Sequence, residues 1–271
     1  MCEVLAVTPS AYYASLNRMP SKRERDNQAI DSQIAKIYTQ HRGRYGAPRI
    51  HKELEAEGKL LGKNKVARRM RRLGLRALAK RKWKATTDSR HALPVAPNLL
   101  NRDFSASVPN QKWVTDITYV ATQEGWLYLA TVMDLYSRAI IGWSLQDRLE
   151  SPLIMEALEM ALWRRKFPTG VLVHSDRGSQ YCSGVYQTLL TKHGLICSMS
   201  RAGECWDNAA MESFYHSLKT ELVQFSMGFK TRFEAKKLIV EYIEEYYNTT
   251  RRHSAIDYKA PFVFELCNRC S

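Results

Sequence analysis

Three carboxylate side chains stand out by their positions in this sequence. Asp116 lies within an apolar, β-branched stretch, Asp176 directly follows another such stretch, and Glu212 lies in a segment with a helical pattern. Fifty-nine residues separate the first from the second, and 35 separate the second from the third. Carboxylates held close together repel by roughly 4 kcal/mol per pair, at about 4 Å and an effective dielectric of about 20. Hard cations keep such groups ionised, and oxygen ligands of this kind suit Mg²⁺ or Mn²⁺.

Each carboxylate alone also has an ordinary structural explanation. A lone aspartate in a strand can be an edge residue or form a hydrogen bond at a β-bulge, and glutamates on helices are mostly solvated. A shared chemical role therefore depends on whether the surrounding elements bring the three together.

The second part of the chain has the pattern of a mixed α/β sheet. Strands are predicted at 113–120, 126–132, 139–145, 171–174 and 196–199, and helices at 151–165, 185–193, 207–222 and 233–247. Ser151 is expected to cap its helix with Pro152 at the first helical position, and Asp207 or Asn208 is expected to cap the helix that carries Glu212. Three meandering strands followed by alternating helices and strands predict a mixed sheet.

The first hundred residues predict three short helices joined by tight turns, as in a helix-turn-helix unit. Pro48 suits the start of the second helix, Asn64 is expected to cap the third at 64–73, and Gly74 is expected to end it. The inward positions are Ile30, Ile34 and Ile37 in the first helix, Ile50 and Leu54 in the second, and Val66, Met70 and Leu73 in the third.

The net positive charge of the chain comes entirely from this first part. Residues 1–100 hold 22 Lys and Arg against 8 Asp and Glu, whereas residues 101–271 hold 19 against 19. Such an imbalance favours contact with DNA or RNA over a merely solvated face, and phosphate contacts would make binding salt-dependent. The third helix is the expected recognition helix, and its candidate DNA contacts are Lys65, Arg68, Arg69, Arg71 and Arg72, all facing outward, together with Arg76.

Composition and punctuation predict two domains. We place a basic helix-turn-helix region at 1–84, a linker rich in Thr, Ser, Pro and Asn at 85–107, and a catalytic region at 108–271. The longest apolar run, 126–133, is too short to cross a membrane, and the N-terminus lacks the pattern of a secretory signal. Six scattered cysteines favour reduced thiols in the cytoplasm, and the lone pair Cys267 and Cys270 argues against zinc.

Four stretches carry a resemblance to a known family: WVTDITYV, HSDRGSQY, DNAAMESFYHSLKTEL and YNTTRRHSAIDYKAP. From Asp103 onward the chain resembles the integrase core of bacterial insertion-sequence transposases, which is ribonuclease-H-like and related to retroviral integrases. The spacing of the carboxylates matches the Asp-Asp-35-Glu triad of that core. The segments YGAPRIHKELEAEG and KVARRMRRLGLRA resemble the helix-turn-helix region that precedes it.

The resemblance implies a metal site and DNA contacts next to it. Asp116, Asp176 and Glu212 would bind two Mg²⁺ or Mn²⁺ ions, which serve the in-line displacement of a phosphoryl group. His216 and Lys219 lie one and two turns beyond the glutamate and are expected to contact DNA, since residues at these spacings share a helix face.

Further positions flank these motifs. His174 and Arg177 are candidates for orienting Asp176 or a phosphate, with ordinary structural roles as the alternative. Arg251 and His253 are predicted DNA contacts within the family's C-terminal motif, which also includes Tyr247, Asn248 and Pro261. In that motif Ile256 and Asp257 replace the usual Leu-Gly, and this replacement is expected to affect a turn and not the three carboxylates.

The sequence supports a DNA transposase that cleaves element ends and joins the 3′-hydroxyl to target DNA. Within its family the chain looks like the second-reading-frame product, whose partners would be double-stranded DNA, further copies of itself and the first-frame product. Two alternatives remain: a ribonuclease-H-like nuclease that hydrolyses without joining, and a DNA-binding regulator without catalytic activity in isolation. The 35-residue spacing and the basic unit argue against the first, and the complete triad argues against the second.

Overall fold

A computed structural model describes residues 7–78, 94–223 and 228–268 of the chain. The chain divides into two compact units, Met1–Leu78 and Ala79–Ser271. The predicted C-terminal cysteine pair lies partly outside the described residues, because only Cys267 is included. No helix of the described ranges is long and apolar enough to cross a membrane.

The first unit consists of helices. They are α1 (Pro9–Leu16), α2 (Lys22–Gln40), α3 (Ala47–Ala56) and α4 (Lys63–Arg72). The prediction of three helices is confirmed by α2, α3 and α4, and α1 is an additional helix that the sequence patterns did not indicate. Ser21 and Glu24 form a capping box at the start of α2, which satisfies backbone N–H groups there. Ile34, Ile50 and Val66 are fully buried between the helices.

Two predicted details of α4 are wrong. The N-cap is Gly62, two residues before the expected cap Asn64, which lies inside the first turn and cannot cap. Leu73 is 36% exposed rather than inward, because the chain leaves the helix at this residue. Gly74 follows with a φ of 69°, and this left-handed conformation ends the helix as predicted.

The second unit is built on a five-stranded mixed sheet, as predicted. Its strands are β1 (Lys112–Thr122), β2 (Gly125–Asp134), β3 (Ile140–Gln146), β4 (Leu172–Ser175) and β5 (Ile196–Met199), in the spatial order β3-β2-β1-β4-β5. The first three strands pair antiparallel, whereas β4 pairs parallel to β1 and to β5. The helices are α5 (Ser151–Arg164), α6 (Gly184–Lys192), α7 (Ala209–Leu218), α8 (Arg232–Glu241) and α9 (Pro261–Asn268).

The sheet separates two apolar cores. Trp113 packs with Leu158 of α5 on one face, whereas Val114 packs with Phe214 of α7 and Ile239 of α8 on the other. Successive side chains of a strand point to opposite faces, so the even-numbered residues of β1 face α7. Glu150 rather than Ser151 occupies the N-cap of α5, which corrects the predicted cap by one residue.

The C-terminal helices differ from the long α-helices predicted. α7 is preceded by a 3₁₀ turn, Cys205–Asn208, and continues as a π-helical segment, Lys219–Val223. α8 continues as a second π-helical segment, Tyr242–Tyr247. Insertions of this kind occur often at functional sites. At the departure from Leu-Gly, Asp257 adopts a φ of 52°, a left-handed conformation that aspartate tolerates better than most residues.

Part of the predicted linker lies against the second unit. Leu100 is buried in its core, and the hydroxyl of Ser198 accepts hydrogen bonds from the backbone N–H groups of Leu99 and Leu100. Residues 94–107 therefore pack with the sheet, while residues 79–93 lie outside the described part of the chain.

Candidate active site

Parallel pairing of β1 with β4 brings two of the carboxylates together. The last paired residues are Val114 and His174, and Asp116 and Asp176 each lie two positions further along. Parallel neighbours at the same register are about 5 Å apart in the hydrogen-bonding direction, which places the aspartates side by side. Both residues are half-buried.

A close backbone turn holds Asp176. The backbone N–H of Gly178 donates to Oδ1 of Asp176 at 2.9 Å. A Cβ on Gly178 would lie 3.1 Å from the same oxygen, which is closer than ordinary van der Waals contact. Glycine at position 178 therefore leaves room for the carboxylate of Asp176.

Helix α7 carries Glu212 to the same face of the sheet as Asp116. The side-chain amide of Asn208, just before the helix, donates to the carbonyl of Thr115 at 3.2 Å. The hydroxyl of Tyr215, one turn after Glu212, donates to the carbonyl of Asp116. These two bonds hold α7 against β1 on both sides of Glu212, which is itself exposed.

The pKa of Asp116 responds to the charges of the other two carboxylates. Burial raises the pKa of Asp116 well above its usual value, and the charges of Asp176 and Glu212 raise it further, whereas Lys219 opposes them. Burial alone raises the pKa of Glu212. Burial lowers the pKa of Lys219, and the charge of Asp116 opposes that change.

The donor set suits a hard divalent cation. Carboxylate oxygens are the ligands that Mg²⁺ and Mn²⁺ prefer, and a cation would relieve the repulsion that raises the pKa of Asp116. Nevertheless, within the described ranges no three His, Cys, Asp or Glu side chains lie close enough together to hold a metal ion. The two aspartates are neighbours, and Glu212 is near enough to act on Asp116 through its charge but is not drawn in as a ligand.

Of the other predicted site residues, some lie beside the carboxylate cluster and others lie in the core. His216 and Lys219 are half-buried and follow Glu212 along the helix. The buried ring of His174 hydrogen-bonds Ser198 at 2.8 Å and Ser200 at 3.2 Å, and burial lowers its pKa to about 4. This neutral imidazole supports the strands and has no exposed edge for a phosphate. Nε of Arg177 donates to the carbonyl of Ser200.

One further cluster was not predicted from the sequence. The carboxylate of Asp207 is fully buried and accepts hydrogen bonds from Arg201, Arg102 and Asn98. Arg201 contributes the largest effect, and the pKa of Asp207 lies well below its usual range. Asp207 is therefore a structural anchor rather than a helix cap. Its partner Arg102 lies 105 residues away in sequence, so no local pattern could have indicated the pair.

The C-terminal motif has an internal position for its arginine. Arg251 is only 3% exposed, and its guanidinium bonds the carboxylate of Glu221 with the closest atoms 2.6 Å apart. It also contacts His253, which is half-buried, at 3.1 Å. A DNA contact needs a surface position, and the structure does not give Arg251 one.

The basic face of the first unit agrees with the prediction except at one residue. Arg68, Arg71, Arg72 and Arg76 are exposed, and Lys65 is half-exposed. Arg69 instead turns inward and forms an ion pair with Asp31 of α2, so its predicted outward orientation is wrong. A groove of about 730 Å³ lies between α2 and α4, lined by Lys22, Arg23, Asp26, Asn27, Lys65, Arg68, Arg69 and Arg72.

Comparison with known families assigns both units. Residues 24–83 match an HTH-like domain, and residues 106–205 and 193–261 match two descriptions of the integrase core domain. The fold resembles a chain of the simian T-cell lymphotropic virus intasome in complex with PP2A regulatory subunit B56 gamma. That similarity has a TM-score of 0.50 at 15% identity and covers 86% of this chain and 74% of the other. The chain is thus an integrase-core protein with an HTH-like domain.

Similar proteins narrow the class to one family. Transposase InsF for insertion sequence IS3A of Escherichia coli (strain K12) is 49% identical over 270 residues, covering 99% of this chain and 93% of the relative. The insertion element IS600 uncharacterized 31 kDa protein of Shigella sonnei is 45% identical and covers 97% of each. The chain belongs to the IS3 family of insertion-sequence transposases.

Proposed function

We propose that this transposase cleaves the ends of its insertion element and transfers the freed 3′-hydroxyl to target DNA. The observation that carries the proposal is the parallel pairing of β1 and β4, with Asp116 in β1 and Asp176 directly after β4, and with the helix of Glu212 bonded to β1. Neighbouring carboxylates in a partly buried place are costly to ionise. Such an arrangement is expected where their shared charge has a chemical use.

Asp116, Asp176 and Glu212 would hold two Mg²⁺ or Mn²⁺ ions, and Glu212 would turn inward as the third ligand. When bound, such ions supply activation of the attacking hydroxyl and stabilisation of the leaving oxygen in an in-line displacement. The ammonium group of Lys219, which faces the charge of Asp116, would hold the DNA phosphate next to this site, and His216 would contact the same strand.

The first unit would hold the DNA end. The proposed DNA-binding cations on its surface are Lys65, Arg68, Arg71, Arg72 and Arg76. Phosphate contacts from α4 release counterions, so the logarithm of affinity falls with the logarithm of salt concentration by roughly 0.9 per contact. We expect Arg68→Ala to weaken binding and to reduce this slope by about one contact. Lys36→Ala, which removes an exposed cation elsewhere on α2, serves as the matched control.

Assembly belongs to the same proposal. Joining two element ends requires more than one catalytic unit on DNA, so further copies of this chain are the expected partners. The first-frame product of the element is a further candidate, because it would add end recognition to a chain that carries the integrase core.

The test is a strand-transfer assay with labelled element-end duplexes and Mg²⁺ or Mn²⁺. Wild type should join ends to target DNA, whereas Asp116→Asn, Asp176→Asn and Glu212→Gln should each lose joining and keep DNA binding. Glu159→Gln, which alters an exposed carboxylate on α5, should behave as wild type.

Other outcomes identify the alternatives. Hydrolysis without joining indicates a nuclease. Binding without either reaction, in wild type and variants alike, indicates a regulator or a requirement for the first-frame product, and adding that product separates the two. Joining that survives all three carboxylate substitutions contradicts the assignment of the site.

A further inference from the structure

Trp206 is an exposed aromatic residue within a rigid turn. Its side chain is 65% exposed, although the next two residues, Asp207 and Asn208, are 0% and 5% exposed. All three belong to the 3₁₀ turn Cys205–Asn208 that precedes α7. An exposed aromatic ring is thus carried by a turn whose next two side chains are buried.

Hydrogen bonds fix this turn from two sides. The carboxylate of Asp207 accepts bonds from the guanidinium groups of Arg201 and Arg102 and from the amide of Asn98, at 2.7–3.0 Å. The amide of Asn208 is bonded to the carbonyl of Thr115. Because both following residues are held by buried polar contacts, the backbone that carries Trp206 has a fixed position.

The same bonds place the turn that carries Trp206 next to the carboxylate cluster. Asn208 is hydrogen-bonded to Thr115, which directly precedes Asp116. Two residues of chain span at most about 7 Å, so the backbone of Trp206 lies within that distance of Asn208. Glu212 follows on the next helix, six positions after the tryptophan. The backbone of Trp206 is therefore close to the place at which a DNA strand would reach the carboxylates.

The surroundings of the ring favour a nucleotide over an apolar partner. Arg102 and Arg201 bond the next residue, Asp207, and their side chains are 41% and 48% exposed. Partly exposed guanidinium groups attract phosphates, and an exposed indole offers a face for an unpaired base of any sequence. Stacking requires that the base leave the duplex, and the ring compensates part of the cost of unpairing.

We propose that Trp206 stacks on an unpaired base next to the scissile phosphate and thereby stabilises the opened DNA end. This inference rests on the proposed cleavage of DNA by the adjacent carboxylates. Removal of one base stack corresponds to about a 5- to 140-fold loss. Trp206→Ala should therefore slow cleavage of a fully paired end by that factor, whereas Trp206→Phe should keep most of the rate.

An end with unpaired nucleotides at the cleavage position separates stacking from other roles. Trp206→Ala should recover most of its activity on that substrate, because the cost of unpairing is already met. Trp163→Ala, which removes a 73% exposed tryptophan from α5, should match wild type on both substrates. An equal loss on both substrates, or no loss on the paired end, overturns the proposal.

A measurement that needs no catalysis keeps this inference distinct from the cleavage function. In the Asp116→Asn background, 5-iodouracil placed in turn at each base around the cleavage position should photo-cross-link to the peptide that contains Trp206. Cross-linking to this peptide, together with no cleavage by wild type, supports the stacking and contradicts the proposed cleavage function. Cleavage by wild type with no cross-link to this peptide at any position removes the stacking.

Discussion

The guanidinium of Arg251 lies 2.6 Å from Oε1 of Glu221, and both side chains are buried in the second unit. The hydroxyl of Tyr242 donates to the other oxygen of Glu221 at 2.9 Å, and Ser217 accepts from Arg251 at 3.0 Å. Glu221 and Tyr242 belong to the two π-helical segments. The ion pair therefore joins the extension of the Glu212 helix to the C-terminal motif, which explains why that motif lies in the interior.

Loss of this arginine is expected to destabilise the second unit. Arg251→Ala leaves the buried carboxylate of Glu221 without its counter-charge, and such a change costs about 3–5 kcal/mol. Denaturant unfolding should show that loss for Arg251→Ala and a smaller one for the double variant Arg251→Met, Glu221→Met, which removes both charges. Weaker, less salt-dependent DNA binding at unchanged stability would instead identify Arg251 as a surface contact.

Magnesium is expected to stabilise the protein more strongly as pH rises. The pKa of Asp116 is raised, so the stability present while this group is protonated is lost as pH rises through that pKa. Mg²⁺ offsets the repulsion between the ionised carboxylates. The increase in Tm on adding Mg²⁺ should thus be larger at pH 8 than at pH 5, and smaller in Asp176→Asn. Glu159→Gln is the control, and a Tm increase unaffected by Asp116→Asn would contradict the metal site.

His174 is expected to make the protein sensitive to acid. Burial lowers its pKa from 6.5 to about 4, so the unfolded chain takes up a proton before the folded one does. The stability is present above pH 6.5 and falls by about 1.4 kcal/mol per pH unit towards the folded pKa. Unfolding of wild type and His174→Gln, compared from pH 7 to pH 4, should show this loss only in wild type. A pH-independent difference between them would show that the imidazole is accessible to protons.

Gly142 allows helix α5 to touch β3. A Cβ at this position would lie 2.0 Å from the carbonyl oxygen of Ala157 and 2.9 Å from the Cβ of Ala161. Gly142→Ala should therefore lower the free energy of unfolding by about 3 kcal/mol or more, because backbone atoms must move. Gly184→Ala is the matched control, since an added Cβ there has no atom within 4 Å. Equal urea unfolding curves for the two variants would contradict this packing.

Local patterns in the sequence were sufficient for most elements of the fold. The ends of β5 were predicted without error, and the strand and helix order of the second unit follows from periodicity and turn residues. The carboxylates were identified by residue type, by position and by a spacing that matches the family's triad. The parallel pairing of β1 and β4, with its constant offset of 60 residues, brings Asp116 beside Asp176, and only the structure shows it.

Side-chain partners were not predictable in the same way. Arg69 and Arg251 carry the same charge as the exposed arginines around them, yet each lies beside a carboxylate that a different element supplies. Asp207 resembles a helix cap in sequence and becomes an anchor because Arg201 and the distant residues Arg102 and Asn98 all bond its carboxylate. Periodicity reports which face of an element is apolar, and it contains no information about which distant residue meets a buried charge. That pairing is decided by long-range packing, which only the tertiary structure shows.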